Sequence, residues 1–317
     1  SQACRLGLVE CQRSSATREV YIQLPAKLNN KVISASEAVE KLVRDGATVG
    51  IGGQTIGRCS MTLVHEIIRQ GKKDLTLVGC SMSMTMDMLV GSGLVKRTEC
   101  GTGNLERYGS TYRWRRAIED GSLEIVDHSH LAMALRFLAG SLGLPFMPCK
   151  SMLGTDVLRQ ATQDEVPPFA LVSNPWNREE RVALLPACTP DISIIHVQKA
   201  DEMGNAVIEG FTTHEPEMAK ASNSVILSCE ELVDPNVIKN DPDRTTIPYL
   251  YVDAVVVQPW GAYPTATHRY YEHDEVHILE YQRVARAGGD EYQNYLDQYI
   301  HNCSTFDEFL EKAVDPT

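Results

Sequence analysis

The chain lacks an apolar run of membrane-spanning length, a cysteine pair with metal-site spacing and an excess of positive charge. No stretch approaches the ~18 consecutive apolar residues that a transmembrane helix needs. None of the nine cysteines forms a C-x-x-C pair, so the common zinc and thioredoxin signatures are missing. A net charge of −12 argues against DNA or RNA, whose binding requires a basic surface. We therefore expect a cytoplasmic protein with reduced thiols and neither a membrane nor a nucleic-acid partner.

Several motifs of known chemistry are missing as well. The nine histidines match none of the usual ligand spacings, so we predict no metal site. The chain has no G-x-S-x-G elbow, which argues against a serine hydrolase of that type. Adjacent carboxylates at residues 201–202 and 230–231 point in different directions, so neither pair forms an acid–base dyad by itself.

A strand that runs into a glycine-rich turn is the most informative segment, at residues 45–58 (DGATVGIGGQTIGR). Such a turn, followed by a helix, presents backbone N–H groups to a small anionic ligand. The spacing of its glycines does not fit a dinucleotide-binding fingerprint, and the lysine of a P-loop is missing. We expect an anionic ligand other than a nucleotide phosphate, with a tight turn that binds no ligand as the alternative.

The alternation of apolar strands and amphipathic helices predicts the fold class. The connections are short, which favours an α/β protein with an open, mostly parallel, doubly wound sheet and helices on both faces. Strands are predicted at residues 47–51, 75–79, 123–126, 182–185, 192–198, 206–208, 224–229 and 254–258. Helices are predicted at residues 36–44, 60–70, 87–91, 113–120 and 131–140.

Three segments are expected along the chain. Residues 1–30 have no clean period and no apolar core of a secretory signal, so we interpret them as an N-terminal arm or an added leader. Residues 31–285 carry the α/β pattern. Residues 286–317 form a tail whose apolar spacing predicts helices that dock on the core or on a partner. Within the α/β part, residues 163–181 contain three prolines and little periodicity, which predicts a long loop or lid.

A second strand-to-turn segment occupies residues 252–264 (VDAVVVQPWGAYP). Turns of this kind lie at the carboxyl edge of an open sheet, where ligands bind. We expect Gly261 and Ala262 to contact the substrate. A plain strand exit with Trp260 packed against it is the alternative.

Several segments together resemble the alpha subunit of family I coenzyme A transferases, most closely that of glutaconate CoA-transferase. The family signature begins with Asp-Gly, an apolar strand and Gly-Gly-Phe. Here residues 45–46 and 52–53 match, Gln54 replaces the phenylalanine, Ser60 replaces a nearby proline, and Arg58 lies where glutaconate-type proteins carry an arginine. The resemblance covers about residues 31–285, with later matching blocks at residues 87–96, 143–148, 225–231 and 252–264.

The resemblance implies an enzyme that moves CoA between an acyl-CoA and a small carboxylic or dicarboxylic acid. In the family, a glutamate attacks the thioester, forms an acyl anhydride and becomes a glutamyl-CoA thioester. In two-chain members this glutamate belongs to the beta subunit, within a glutamate-asparagine-glycine type motif that this chain lacks. We therefore expect an alpha subunit that assembles with a beta subunit. The CoA thioester is expected as a substrate, with no permanently bound cofactor.

The resemblance also implies roles for individual residues. Gly52, Gly53, Gln54, Thr55 and Arg58 are expected to contact the acyl group. Gln54 and the backbone of Gly53 would support an oxyanion, and Arg58 would hold the distal carboxylate of a dicarboxylic acyl chain.

The resemblance also implies that some relatives of this chain have other activities. They hydrolyse carbon rings on CoA thioesters or decarboxylate a dicarboxyl-CoA, and a metabolite-sensing module is a non-enzymatic alternative. Glu106 lies near the position of the hydrolase acid, although a salt bridge with Arg107 or Arg113 is the simpler interpretation. The arginines at positions 113, 115 and 116 predict a solvated helix face, with a site for CoA phosphates or for a partner chain as the alternative.

Overall fold

The computed structural model describes residues 30–161 and 168–314, so the expected arm at residues 1–30 lies almost wholly outside the described residues. The strands are β1 (Thr48–Ile51), β2 (Leu75–Met82), β3 (Val95–Gly103), β4 (Glu124–Asp127), β5 (Phe146–Cys149), β6 (Ala170–Asn174), β7 (Asn177–Pro186), β8 (Ile192–Asp201), β9 (Ala206–Val207), β10 (Ser224–Val233) and β11 (Ala254–Val257). The helices are α1 (Ala35–Leu42), α2 (Met61–Arg69), α3 (Met84–Gly91), α4 (Tyr112–Glu119), α5 (His130–Ser141), α6 (Asp156–Ala161), α7 (Glu215–Ala221), α8 (Pro235–Lys239), α9 (Glu275–Ala287), α10 (Gly289–Leu296) and α11 (Phe306–Ala313).

A parallel sheet forms the centre of the described protein. Its strands follow the order β11-β10-β8-β1-β2-β3-β4, and β9 pairs antiparallel with β8. β1 lies between β8 and β2, so strands from distant parts of the sequence flank the glycine turn that follows it. β2 is buried along its whole length, as expected for a strand covered on both faces.

Helices cover both faces of this sheet, because successive side chains of its strands point in opposite directions. On β10, Ile226 faces the core formed with α1, α2, α3 and the C-terminal helices. Its neighbours Val225 and Leu227 face the second core, formed with α5 and α7. The predicted α/β fold with an open, mostly parallel sheet is therefore confirmed.

A separate antiparallel sheet of order β5-β7-β6 packs on the outer side of α5. This sheet corrects two expectations from the sequence. The predicted strand at residues 182–185 belongs to β7 and is antiparallel, and the described part of the predicted loop at residues 163–181 is mainly a β-hairpin. Pro175 and Trp176 form its turn, and Pro168 precedes its first strand, so two of the three prolines mark the ends of strands.

The last part of the described chain consists of α9, α10, a π-helical turn at Asp297–His301 and α11. Phe306 and Phe309 pack against the ring of His65 on α2, with ring centroids 5.0 and 4.6 Å apart. The C-terminal helices thereby cover α2, the helix that follows the glycine turn.

Candidate active site

A cavity of about 380 Å³ lies at the carboxyl end of β1, where the strand runs into the glycine turn. In parallel α/β sheets this edge is the usual place for ligands. Three of the residues expected at the site, Gln54, Thr55 and Arg58, line the cavity. The other lining residues are Ile56, Gly57, Glu209, Phe211, Ala266, His268, Tyr271, Glu272 and His273.

The turn that forms one wall of the cavity is fixed by its own backbone. The N–H of Gln54 donates to the carbonyl of Gly57 over 2.9 Å, and the N–H of Gly57 donates back over 2.8 Å. Thr55 and Arg58 have φ angles of 48° and 53°, in the left-handed region that non-glycine residues seldom adopt. Backbone strain of this kind is characteristic of functional sites, where the surrounding structure holds it in place.

Arg58 forms an ion pair beneath the cavity. Its Nη2 donates to Oε1 of Glu215 over 2.7 Å and to the carbonyl of Phe211 over 2.9 Å, and its Nη1 donates to the carbonyl of His196 over 3.2 Å. Burial would raise the pKa of Glu215, but Arg58 and then His214 lower it to about 2. Glu215 is therefore ionised and cancels the charge of Arg58. A guanidinium has five N–H groups, so these three bonds leave at most two for a ligand.

The side chain of Gln54 has spare hydrogen-bonding capacity. Within the described part of the chain, its buried Oε1 has no hydrogen-bond partner. Buried polar atoms are nearly always paired, so an unpaired one in a residue that lines the cavity points to a ligand as its partner. Rotation of the carboxamide exchanges its oxygen and nitrogen, which gives Gln54 either an acceptor or a donor at this point.

The remaining expected residues lie behind the cavity wall. The N–H of Gly52 donates to the carbonyl of Ile194, and the N–H of Gly53 donates to Oε1 of Glu215 over 3.2 Å. These two N–H groups therefore hold the turn in place. Gly261 and Ala262 form the layer behind Tyr271, whose hydroxyl accepts from the N–H of Ala262 over 3.1 Å.

A buried carboxylate, Glu230, connects the sheet to the opposite wall of the cavity. Its Oε1 lies 2.7 Å from Nε2 of His196 and accepts from the hydroxyls of Tyr271 and Thr267. Its Oε2 accepts from the N–H of Trp260 over 2.6 Å. Burial would raise the pKa of Glu230, but its hydrogen bonds with His196 and Tyr271 lower it. Glu230 thereby fixes the position of Tyr271, which lines the cavity.

A cluster of cations surrounds Glu209 at the side of the cavity. Arg244 and Lys199 lie 3.1 and 3.6 Å from its Oε1, and Arg269 lies 3.3 Å from its Oε2. Burial would raise the pKa of Glu209, but Lys199, Arg269 and Arg244 together lower it. The carboxylate is therefore ionised and its charge is exceeded by that of its neighbours.

Glu106 lies on an exposed turn outside the cavity. Its backbone φ is 54°, and its N–H donates to the side chain of Asn104 over 3.0 Å. The expected salt bridge with Arg107 is not what the structure has, because Arg107 pairs instead with Glu275 over 3.0 Å. Arg113, the second expected partner, stacks on the ring of Tyr292.

The other large cavity, of about 620 Å³, lies on the outer face of the small sheet. Its lining is mainly apolar and includes Phe146, Val172 and Trp176, and it has fewer convergent polar groups than the cavity at the turn. Within the described ranges, no group of three or more histidine, cysteine, aspartate or glutamate residues is arranged to hold a metal ion. No helix among those residues is long and apolar enough to cross a membrane.

The sequence did not identify Glu209, Glu215, Glu230 or Tyr271 as parts of the site. These residues act through long-range contacts, such as that of Glu215 with Arg58, 157 positions away. No local pattern reports such contacts.

A family model described as coenzyme A transferase matches residues 32–258. The chain belongs to the coenzyme A transferase family. It is 32% identical to the A subunit of glutaconate CoA-transferase of Acidaminococcus fermentans, over 89% of this chain and 92% of that protein. It is 33% identical to the A subunit of 3-oxoadipate CoA-transferase of Pseudomonas knackmussii, over 90% and 99% of the two chains. An uncharacterised protein of Archaeoglobus fulgidus is 36% identical over 90% of this chain, which spans 62% of that relative's length.

Solved structures agree with this assignment. The fold matches the crystal structure of glutaconate CoA-transferase from Acidaminococcus fermentans with a TM-score of 0.83 and 31% identity, over 89% of this chain and 92% of that chain. The two transferase relatives at 32–33% identity are A subunits of multi-subunit enzymes, which implies a partner subunit. This relationship supports a heteromeric CoA-transferase. The hydrolase, decarboxylase and sensing alternatives are not favoured. Enzymes of this family use a CoA thioester as a substrate or an intermediate.

Proposed function

We propose that this protein is the alpha subunit of a CoA-transferase that moves CoA between an acyl-CoA and a small carboxylic or dicarboxylic acid. The observation that carries the proposal is the cavity at the carboxyl end of β1, which brings Gln54, Thr55 and Arg58 together in a chain of this family. The cavity takes the acyl end of the thioester. Gly52 and Gly53 shape the turn, and Gly261 and Ala262 support the opposite wall.

The nucleophile is a glutamate of a partner beta subunit. Its carboxylate attacks the thioester carbonyl and releases CoA thiolate, which leaves an acyl-glutamyl anhydride. The thiolate then attacks the glutamyl carbonyl, releases the first carboxylic acid as its carboxylate and leaves a glutamyl-CoA thioester. The acceptor carboxylate reverses these two steps, and CoA leaves on the new acyl group. Covalent steps of this kind divide one difficult transfer into easier ones.

Oxygen carries negative charge in each tetrahedral intermediate, and Gln54 is the residue of this chain proposed to stabilise it. Gln54 lines the cavity, and rotation of its carboxamide would place its N–H groups, which can donate to the oxyanion, where the unpaired Oε1 now lies. Donors aimed at such charge stabilise the intermediate. Glu106, near the position of the acid in the hydrolases, lies outside the cavity. An E106Q variant is therefore expected to remain active.

Trapping of the intermediate tests which of the two chains carries the nucleophilic glutamate. The protein is isolated together with its partner chain, incubated with acyl-CoA and treated with borohydride, which reduces a glutamyl thioester to an alcohol. Mass spectrometry of both chains is expected to find one reduced glutamate, on the partner. Two carboxylates of this chain, Glu209 and Glu272, line the cavity. Reduction of either one would place the nucleophile here and overturn the proposal, whereas E272Q is expected to trap like the wild type.

Arg58 is proposed to select dicarboxylic acyl groups through the N–H groups that Glu215 and the two carbonyls leave free. Since Glu215 cancels its charge, E215Q is expected to strengthen the preference for dicarboxylates. R58A/E215Q removes both charges and is expected to weaken that preference about 10- to 100-fold in kcat/KM, the value of a bond to a charged group. An unchanged preference in both variants would exclude Arg58 as the selecting residue.

We also propose that the protein has no permanently bound cofactor and that it is located in the cytoplasm. The location is supported by the cysteines at positions 59, 80, 100, 149, 188, 229 and 303, which are free and buried. Structural disulfides are typical of secreted proteins, and buried free thiols are typical of a reducing compartment. Absorption spectroscopy and mass measurement of the complex purified from cells test for a bound cofactor.

A further inference from the structure

Three cations and one carboxylate form a cluster at the side of the cavity. Lys199, Arg244 and Arg269 all point at Glu209, with nitrogen–oxygen distances of 3.1–3.6 Å. A second carboxylate, Asp241, lies 3.8 Å from Arg244. The cluster therefore carries more positive than negative charge, in a chain whose net charge is −12.

The surplus charge faces solvent and is available to a ligand. The side chains of Lys199, Arg244 and Arg269 are 32%, 52% and 61% exposed, whereas that of Glu209 is 7% exposed. One cation is enough to neutralise Glu209, and Arg244 also pairs with Asp241, so one positive charge remains in excess. An anion that joins the three cations would lower their mutual repulsion. Each guanidinium has five N–H groups in a planar fork, which suits the oxygens of a phosphate.

The cluster is held in place by buried contacts. Gln198 is fully buried, and its carboxamide pairs with both backbone groups of Glu209, accepting from the N–H and donating to the carbonyl, each over 3.0 Å. The same Nε2 donates to the carbonyl of His268 over 3.3 Å. Arg269 follows directly, with a φ of 71° that a non-glycine residue seldom adopts. Gln198 thus ties together the two segments that carry Glu209 and Arg269.

We propose that Lys199, Arg244 and Arg269 bind the phosphate groups of the CoA moiety while the adjacent cavity takes the acyl end. The site rests on the proposed function. Glu209 belongs to both the cluster and the cavity lining, so the two parts are adjacent. The exposed position of the three cations suits the phosphates, which keep part of their hydration, and the polar groups of the adjacent cavity are left for the acyl end.

The other arginine-rich segment, on α4, is less suited to this role. Arg116 donates to the carbonyl of Arg286 over 3.0 Å, and Arg113 stacks on Tyr292, so both attach α4 to the C-terminal helices. Arg115 pairs with Glu119 one helical turn away. Arg113 and Arg116 are thus engaged in contacts within the protein, and Arg115 in a surface ion pair.

Direct binding tests the site without reference to catalysis. The protein with its partner chain is titrated with adenosine 3′,5′-bisphosphate, the nucleotide part of CoA, in a calorimeter. R244A and R269A are each expected to weaken binding about tenfold or more, and binding is expected to weaken as salt is raised. Each single variant leaves two cations beside Glu209, which protects the fold. R283A removes an equally exposed arginine, paired with Glu291, and serves as the control with unchanged binding.

Kinetics with two donors distinguish phosphate binding from carboxylate binding. For acyl-CoA, R269A is expected to raise KM about tenfold, whereas for the corresponding acyl-pantetheine, which has no phosphates, KM is expected to stay unchanged. Equal losses with both donors, or a raised KM only for the acceptor acid, would show a role toward the carboxylate and overturn the proposal. Unchanged bisphosphate affinity in R244A/R269A would also overturn it. Normal bisphosphate binding by a protein that transfers no CoA would instead refute the proposed function alone.

Discussion

Arg58 and Glu215 form an ion pair in which both side chains are buried, with a nitrogen–oxygen distance of 2.7 Å and exposures of 8% and 0%. The pair joins the turn after β1 to the start of α7. Removal of one partner leaves the other as a buried, unpaired charge. The arginine that the sequence indicates as a ligand contact is therefore also part of the structural support of the site.

R58A is expected to lower the free energy of unfolding by about 3–5 kcal/mol, since it leaves Glu215 without its partner. R58A/E215Q is expected to be more stable than R58A, because the neutral amide is cheaper to bury. Urea unfolding of both variants measures the difference. R44A is the control, since Arg44 is 75% exposed where it pairs with Asp191, and it is expected to cost at most about 1 kcal/mol.

The pKa of Glu215 predicts how the stability of the protein depends on pH. Its pKa in the folded protein, about 2, lies below its ordinary value of 4.5. The stabilisation is therefore fully present above pH 4.5 and is lost as the pH falls toward 2. E215Q is expected to lose less stability than the wild type over this range. Parallel stability curves for the two proteins would contradict the prediction.

Asp87 predicts a pH dependence of the opposite sign. It is fully buried, accepts from the N–H of Trp114 and the hydroxyl of Tyr281, and burial raises its pKa from 3.8 to about 6. Its contribution is therefore fully present below pH 3.8 and is lost as the pH rises through 6. The stability of D87N relative to the wild type is expected to rise over this interval, by an amount on the order of 3 kcal/mol. Chemical unfolding at several pH values measures it, and a constant difference would be evidence against it.

Gly53 in the turn after β1 and Gly46 before β1 allow steric effects to be distinguished from backbone effects. Gly53 and Gly46 have φ angles of 81° and 75°, so alanine is strained at both, by roughly 1–2 kcal/mol. An added Cβ at Gly53 would lie 2.6 Å from the carbonyl oxygen of Arg58, whereas at Gly46 it would meet nothing within 4 Å. G53A is expected to lose clearly more stability, and also activity, than G46A. Equal effects would mean that the turn adapts to the extra atom.

Glu230 is expected to act as a positioning residue for the cavity wall. A glutamine there cannot accept from all the groups that surround the carboxylate, so Tyr271 should lose its fixed position. E230Q is expected to raise KM more than it lowers kcat and to cost about 1–3 kcal/mol in stability. E231Q is the matched control, because Glu231 is exposed and accepts from the hydroxyl of Tyr270. A loss in kcat alone would contradict a positioning role.

The sequence predicted the central sheet well because most of its strands contain a run of apolar residues, as in β1, β2, β8, β10 and β11. It missed β3, whose residues VKRTECGTG combine charges and glycines. That strand is stabilised by its position between β2 and β4 and by ion pairs such as Arg97 with Glu99. The prolines at residues 163–181 predicted a loop, but β6 and β7 form a hairpin there. The prediction failed because a proline at the end of a strand leaves the strand intact.

The turn and Arg58 were recognisable from local sequence, whereas the groups that complete the site were not. Glu215, Glu230 and Tyr271 act on residues far away in the chain. Their roles depend on which strands become neighbours, and strand order is not encoded in the pattern of any single segment.

The central position of β1 has a consequence for synthesis of the chain. The turn after β1 makes its contacts with residues near 195, 211–215 and 266, so these must leave the ribosome before the site can close. Until then, β1 has one parallel neighbour, β2, and an open edge that is later covered by β8. Pairings over such sequence distances form slowly, and exposed strand edges aggregate. The nascent chain is thus most vulnerable between the synthesis of β2 and that of β8.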